Sequence, residues 1–326
     1  MIKVAAPKMA QQIVDWAIQI GWCAMPVDPE VQSLLDAIET AGAPPLYEIG
    51  QEAQARESYR AAAFAMPNGL DGLAVRDIDL PLPGRTLRAR TYRLGEPSAT
   101  VVFLHGGGWV VGDLDTHDRL CARITRDTGA MVVSIDYRLA PEHPFPAPYE
   151  DCWDAFAYIA ANRAEFGGGK IAVAGDSAGG NLAAAVAQQA RDEGIDLAAA
   201  LLLYPALDCE GQYLSAKQNA TGYRLTTGDM DAFTTSYVGA EDRTHPRISP
   251  LYGAHEGLCP TIIGAAGYDP LRDESTAYAE VLAKAGVDVT LHGYPALIHG
   301  FFGMASVSKA CDEAAAELTA DLSRYL

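Results

Sequence analysis

Six short, mostly apolar runs spread over the last two-thirds of the chain constrain its fold more than any other feature. They are Ala99–Leu104, Met131–Ile135, Lys170–Ala174, Ala198–Tyr204, Pro260–Ala266 and Val287–Tyr294. A strand that is apolar on both sides of its pleat has to be covered on both faces. Helical patterns over 116–128, 148–165, 181–191, 273–284 and 309–325 lie between or after those runs and supply the covers. Strands of this kind joined by helical crossovers indicate a parallel sheet. Two earlier stretches, 73–80 and 87–92, instead alternate polar and apolar residues around Pro81-Leu82-Pro83-Gly84, which predicts an antiparallel pair at one edge. The expected class is α/β, with eight mostly parallel strands flanked by helices.

The alternation is interrupted twice. Residues 1–60 are rich in Ala, Gln and Glu and are broken by Pro26, Pro29, Pro44 and Pro45, so two or three short helices are expected there and no strand. Residues 208–247 hold one helical stretch, 229–238, and no buried strand pattern. Both read as pieces of a helical cap. The expected organisation is a cap segment over 1–60 and a main unit over 61–326, with a cap insertion at about 208–247. The apolar run Ala17–Met25 is broken by Gln19 and preceded by Gln11, Gln12 and Asp15. Ile13, Trp16, Ala17 and Ile20 fall at helical spacing, which predicts an amphipathic helix rather than a leader core.

Composition narrows the partners. A formal charge of −18 argues against nucleic acid or an anionic membrane, because phosphate contacts need a basic surface. No segment approaches the roughly 18 apolar residues of a membrane span. The six cysteines, Cys23, Cys121, Cys152, Cys209, Cys259 and Cys311, are scattered singly. Without a C-x-x-C pair or Cys/His cluster, zinc is not indicated, and reduced thiols in a cytoplasmic protein are expected. No G-x-G-x-x-G follows a strand pattern, so no nicotinamide cofactor is indicated; no cofactor of any kind is expected.

Chemistry concentrates at Gly175-Asp176-Ser177-Ala178-Gly179. The run Ile171–Ala174 leads into it and an alanine-rich helical pattern leads out. A serine between two glycines at a strand-to-helix turn is a nucleophile elbow, because the sharp turn admits only small residues and forces the hydroxyl clear of the backbone. A serine hydroxyl needs a base within hydrogen-bond reach, usually a histidine oriented by a carboxylate. With an elbow the chain order is Ser, acid, His, and functional groups collect at the carboxyl ends of strands. Asp269, in Gly267-Tyr268-Asp269-Pro270, follows a strand and the serine, whereas Asp273 is expected to cap the next helix, with Glu274 in its first turn. His105, His117 and His143 precede the serine, His245 and His255 precede Asp269, and His292 lies inside the last strand pattern as a packed residue. His299 follows that strand by a short loop and fills the remaining slot. His105-Gly106-Gly107-Gly108 follows the third strand, where glycines let main-chain N–H groups face a developing oxyanion, and Ala178 N–H at the start of the helix is a further donor.

These pieces together resemble the hormone-sensitive-lipase-like family of α/β-hydrolase carboxylesterases, bacterial branch. The matching segments are His105–Trp109, Tyr137–Ala147 (Tyr-Arg-Leu-Ala-Pro-Glu-His-Pro-Phe-Pro-Ala), Gly175–Asn181, Asp269–Glu274 and His299–Phe301, in family order over roughly 70–326. The resemblance implies an α/β-hydrolase fold with Ser177 as nucleophile, Asp269 as orienting acid and His299 as base. It implies Gly107, Gly108 and Ala178 as oxyanion donors, a bracing role for Tyr137–Pro146, and a cap built from the N-terminal helices and the later insertion. The implied activity is hydrolysis of short- to medium-chain esters through an acyl-enzyme, slowed as acid protonates the base. The same machinery serves lactones, carbamates and amides. The rival reading is a catalytically inactive, hydrolase-fold binding protein. About 27 residues precede Asp28, more than similar proteins carry, and they are candidates for extending the cap or for a homodimer contact.

Overall fold

The computed structural model describes residues Met25–Leu326, so the helix expected around Ile13–Ile20 and Cys23 lie outside the described residues. Helix α1 (Pro29–Thr40) and helix α2 (Glu52–Phe64) come first. Asp28 starts α1, its carboxylate accepting from the N–H groups of Glu30 and Val31, which satisfies donors that a helix start otherwise leaves unpaired. Helix α2 runs past Arg60, where the N-terminal segment was expected to end.

Strands β1 (Ala74–Leu82) and β2 (Arg85–Arg93) pair antiparallel across Pro83-Gly84, a tighter turn than the alternation alone suggested. Then follow β3 (Ala99–Leu104), α3 (Asp118–Thr128), β4 (Met131–Ile135), α4 (Ala147–Ala161), β5 (Lys170–Asp176), α5 (Ala178–Asp192) and β6 (Ala200–Leu203). After β6 come two helices, α6 (Leu214–Gln218) and α7 (Thr227–Val238), and the alternation resumes with β7 (Thr261–Tyr268), α8 (Arg272–Lys284), β8 (Val289–Ile298) and α9 (Lys309–Ser323). Helix α6 was not foreseen; five residues are too few to show a period in sequence.

The strands form one eight-stranded sheet in the order β1-β2-β4-β3-β5-β6-β7-β8. β2 is antiparallel to β1 and to β4, and every pair from β4 to β8 is parallel. Every residue of β3 is buried. Side chains alternate between two apolar layers, with Val102 and Leu104 in one and Val101 and Phe103 in the other. Full burial of each such side chain is worth about 1.5–3 kcal/mol, so the sandwich holds the strand ends rigidly in place.

Two expectations fail locally. Strand β8 extends four residues beyond Tyr294, through Pro295, because a register shift between Ala266 and Tyr268 accommodates it. Gly267 makes that possible: a Cβ there would lie 2.2 Å from the Pro295 carbonyl oxygen. Asp273 does not cap the following helix, which starts at Arg272 with Leu271 at the N-cap position. Its carboxylate instead accepts from Ser215 N–H at 2.8 Å, joining α8 to α6.

The two helical stretches outside the sheet alternation touch each other. Asp229, in the first turn of α7, accepts from Leu46 N–H at 2.8 Å while also closing a capping box with Thr226. Tyr47 stacks on Phe233 at 5.1 Å and shares a 2.9 Å hydrogen bond with Ser236. Arg56 of α2 reaches the main part of the molecule, donating to the Val110 and Ala140 carbonyls and pairing with Glu142. Among the described residues no helix is long and apolar enough to cross a membrane.

Candidate active site

Ser177 sits where β5 turns into α5, with φ 55° and ψ −120°. A serine at a helix N-cap ordinarily folds its hydroxyl back onto the first-turn N–H groups. This backbone turns the side chain away, and no cap hydrogen bond forms. The flanking glycines are dictated by space: a Cβ at Gly175 would lie 2.2 Å from the Gly179 carbonyl oxygen, and one at Gly179 would lie 2.0 Å from that of Leu104. The strained turn persists because the surrounding sheet holds it, Ser177 N–H donating to Leu203 O at 2.8 Å.

His299 immediately follows the last residue of β8, with no intervening loop. Its Nδ1 lies 2.7 Å from Asp269 Oδ2 and its Nε2 3.0 Å from Ser177 Oγ. Because the partner of Nδ1 is a carboxylate, the proton belongs there, and Nε2 accepts from the Ser177 hydroxyl. Asp269 is 1% exposed, and its Oδ1 accepts from Leu271 N–H at 2.8 Å. The structure thus brings Ser177, His299 and Asp269 into one hydrogen-bonded series from three strand ends. Tyr204 supports the imidazole edge-on at 4.8 Å and is itself held at φ 37°.

Gly107, Gly108 and Ala178 line the same cavity as Ser177. Gly107 O accepts from Val110 and Val111 N–H, which shapes the loop. The N–H groups of Gly107, Gly108 and Ala178 have no partner among the described residues. Gly107 has φ +116° and Gly108 φ +57°, conformations that suit glycine. Most of the remaining wall is apolar, with Leu46, Tyr59, Leu225, Met230 and Phe233 on the side of the two helical stretches, while Asp176, Asp208, Thr234 and Glu274 add polar groups. It resembles a small-molecule site with few polar groups on greasy walls.

The remaining histidines are placed elsewhere or serve packing. His105 is buried, stacked at 4.2 Å on Tyr137, and burial pulls its pKa down to about 3. His292 pairs at 2.7 Å with Asp321 on α9. His143 lies beside Arg56 and Glu142 in a separate crevice. Tyr137, from the segment expected to brace the site, donates to the His105 carbonyl at 2.7 Å.

Several contributors escaped the sequence reading. Asp176, quoted within the elbow without a role, accepts from Gly106 N–H at 2.9 Å and lies 3.5 Å from His117 Nε2. Burial opposes its charge, yet His117 and the Gly106 N–H outweigh burial and hold the carboxyl below its usual range. Tyr59 and Phe233 wall the cavity from segments far away in sequence. Only the position of Asp176 beside the nucleophile could have signalled any of these. Among the described residues no group of three or more His, Cys, Asp or Glu side chains could hold a metal ion.

The chain and its fold have many relatives. The family described as having an alpha/beta hydrolase fold matches residues 101–303. A carboxylic ester hydrolase, LipN, of Mycobacterium tuberculosis is 41% identical, over 92% of this chain and 83% of its own. An ethyl acetate hydrolase of Pseudomonas putida is 31% identical over 93% of this chain and all of its own. Among solved structures, a thermostable esterase from Pseudomonas putida superposes with a TM-score of 0.88 at 33% identity, covering 93% of this chain and 98% of that one. A Pyrobaculum calidifontis esterase gives 0.85 at 36%, covering 92% and 99%. The chain belongs to the α/β-hydrolase family, in its hormone-sensitive-lipase-like branch of carboxylic ester hydrolases.

Proposed function

We propose that the protein hydrolyses short- to medium-chain esters through an acyl-enzyme formed on Ser177. The supporting observation is the hydrogen-bonded series Asp269, His299, Ser177, at 2.7 and 3.0 Å, beside three unpaired main-chain N–H groups. Ser177 Oγ attacks the ester carbonyl as His299 Nε2 takes its proton. Asp269 holds the imidazole and stabilises its charged form. Gly107, Gly108 and Ala178 receive the oxyanion beside mostly apolar walls, where such donors act more strongly than in bulk water. His299 then protonates the departing alcohol and activates the water that releases the acid.

In this reading the helical stretches up to about residue 60 and over 208–247 act as the cap. Phe233 presses on the oxyanion loop so closely that a Cβ on Gly108 would lie 2.2 Å from its ring. A roof that low favours short acyl groups. The names of the relatives agree with ester substrates, and one of them, an ethyl acetate hydrolase, is named for a short ester. Ser177→Ala should abolish hydrolysis of p-nitrophenyl butyrate; wild-type turnover by that variant would overturn the proposal. A chain-length optimum beyond about ten carbons would refute the size assignment.

A further inference from the structure

Glu274 is a buried carboxyl group for which the steps above have no use. It lines the cavity containing Ser177 and is 2% exposed. Its Oε2 accepts from Leu207 N–H at 2.7 Å and Asp208 N–H at 3.0 Å. Its Oε1 has no hydrogen-bond partner among the described residues. The neighbouring Asp208 is saturated, taking four donors from Glu210 N–H, Gly211 N–H and the Tyr213 and Tyr252 hydroxyls. The wall carrying both groups starts at the nucleophile, because Ala206 N–H donates to the Ser177 carbonyl at 3.2 Å. Apolar or weakly polar neighbours, Ala206, Cys209 and Leu271, complete it.

We propose that Glu274 Oε1 binds an oxygen substituent of the substrate, so that preferred esters carry a keto or hydroxyl oxygen on the group lying along this wall. The inference rests on the esterase reading above. An unpaired polar atom in a greasy cavity lowers affinity for plain hydrocarbon and favours a ligand that completes its bonding. Burial, reinforced by the charges of Asp208 and Asp269, raises the carboxyl pKa well above its ordinary value against the pull of the two N–H bonds. The neutral acid then carries its proton on Oε1, since Oε2 already faces two donors. A donor in that place matches a carbonyl or hydroxyl oxygen.

The test compares kcat/KM, followed by acid release, for oxygenated and plain esters of matched length. The acyl arm uses ethyl 4-oxopentanoate against ethyl pentanoate and ethyl 3-hydroxybutanoate against ethyl butanoate. The alcohol arm uses 3-hydroxybutyl butanoate against butyl butanoate. In one arm the wild type should favour the oxygenated ester by about fivefold, the range of one net hydrogen bond. Glu274→Gln, whose amide N–H can still donate, should keep that ratio at every pH, whereas the wild-type ratio for the keto ester should shrink in alkali as Glu274 ionises. A hydroxyl substituent can donate to the carboxylate and keeps its preference. Glu274→Leu should lower the ratio roughly tenfold, to below one, because the substituent would be buried unpaired. A wild-type ratio of one or less in both arms, or a ratio lost in Glu274→Gln, overturns the proposal. If Glu274→Leu does not fold, the other two proteins still decide. Failure of the wild type on the plain esters would instead refute the esterase reading itself.

Discussion

Gly107→Ala isolates the proposed oxyanion loop from the rest of the machinery. A Cβ at Gly107 would lie 2.2 Å from the Val111 carbonyl oxygen, and real Cβ contacts essentially never fall below 3.0 Å, so the loop must move by at least 3.0 − 2.2 = 0.8 Å. The atom it meets is main chain and cannot rotate away. Displacements near 1 Å in a catalytic constellation cost on the order of 10²-fold, and loss of one oxyanion donor about 10²–10³ in kcat. Backbone strain adds about 1–3 kcal/mol of destabilisation, since alanine must adopt φ +116°. Gly84→Ala is the control: Gly84 has φ +72°, but a Cβ there meets nothing within 4 Å. It should lose only about 1 kcal/mol of stability, seen as a lower Tm, with kcat unchanged. Turnover of p-nitrophenyl butyrate and thermal unfolding, measured on both variants, separate the two effects. A folded Gly107→Ala protein with kcat within threefold of wild type would refute the role assigned to the loop.

Asp269→Asn keeps the shape but presents the wrong groups to His299 Nδ1. It should lower kcat by about 10³–10⁴ at neutral pH while KM moves little, and a drop below tenfold in steady-state kinetics would exclude Asp269 as the orienting acid. The hydrogen bond from Arg56 lowers the Glu142 pKa from 4.5 to about 2, so this pair contributes stability above about pH 4.5 that is lost as pH falls towards 2. The Glu142 side chain is 52% exposed, which limits the effect to below about 1 kcal/mol. Arg56→Ala should therefore lower Tm at neutral pH and narrow its gap from wild type in acid. A gap that widens in acid would contradict the linkage.

The parts of this protein that repeat a local rule were readable in its sequence. Continuous apolar strands and the glycines around Ser177 each express a constraint acting within a few residues, and the order of Ser177, Asp269 and His299 follows from where the strands end. What escaped depends on residues distant along the chain. Asp273 carries the mark of a helix cap, yet Ser215, 58 positions earlier, claims its carboxylate. Pro295 looks like a strand end because proline lacks an N–H, and only the register shift opposite Gly267 lets β8 carry on to His299. Tyr59, Phe233 and Glu274 reach the cavity through packing between the helical stretches and the sheet, and no local pattern announces it. The scaffold of the site is thus local information, whereas its walls are tertiary.

The most direct test is covalent. Reaction with a fluorophosphonate, followed by intact-mass and peptide analysis, should give one adduct per chain on Ser177, appearing in step with loss of ester hydrolysis and absent from Ser177→Ala. An adduct on another residue, or undiminished hydrolysis by fully labelled protein, would contradict the assignment of Ser177 as the nucleophile.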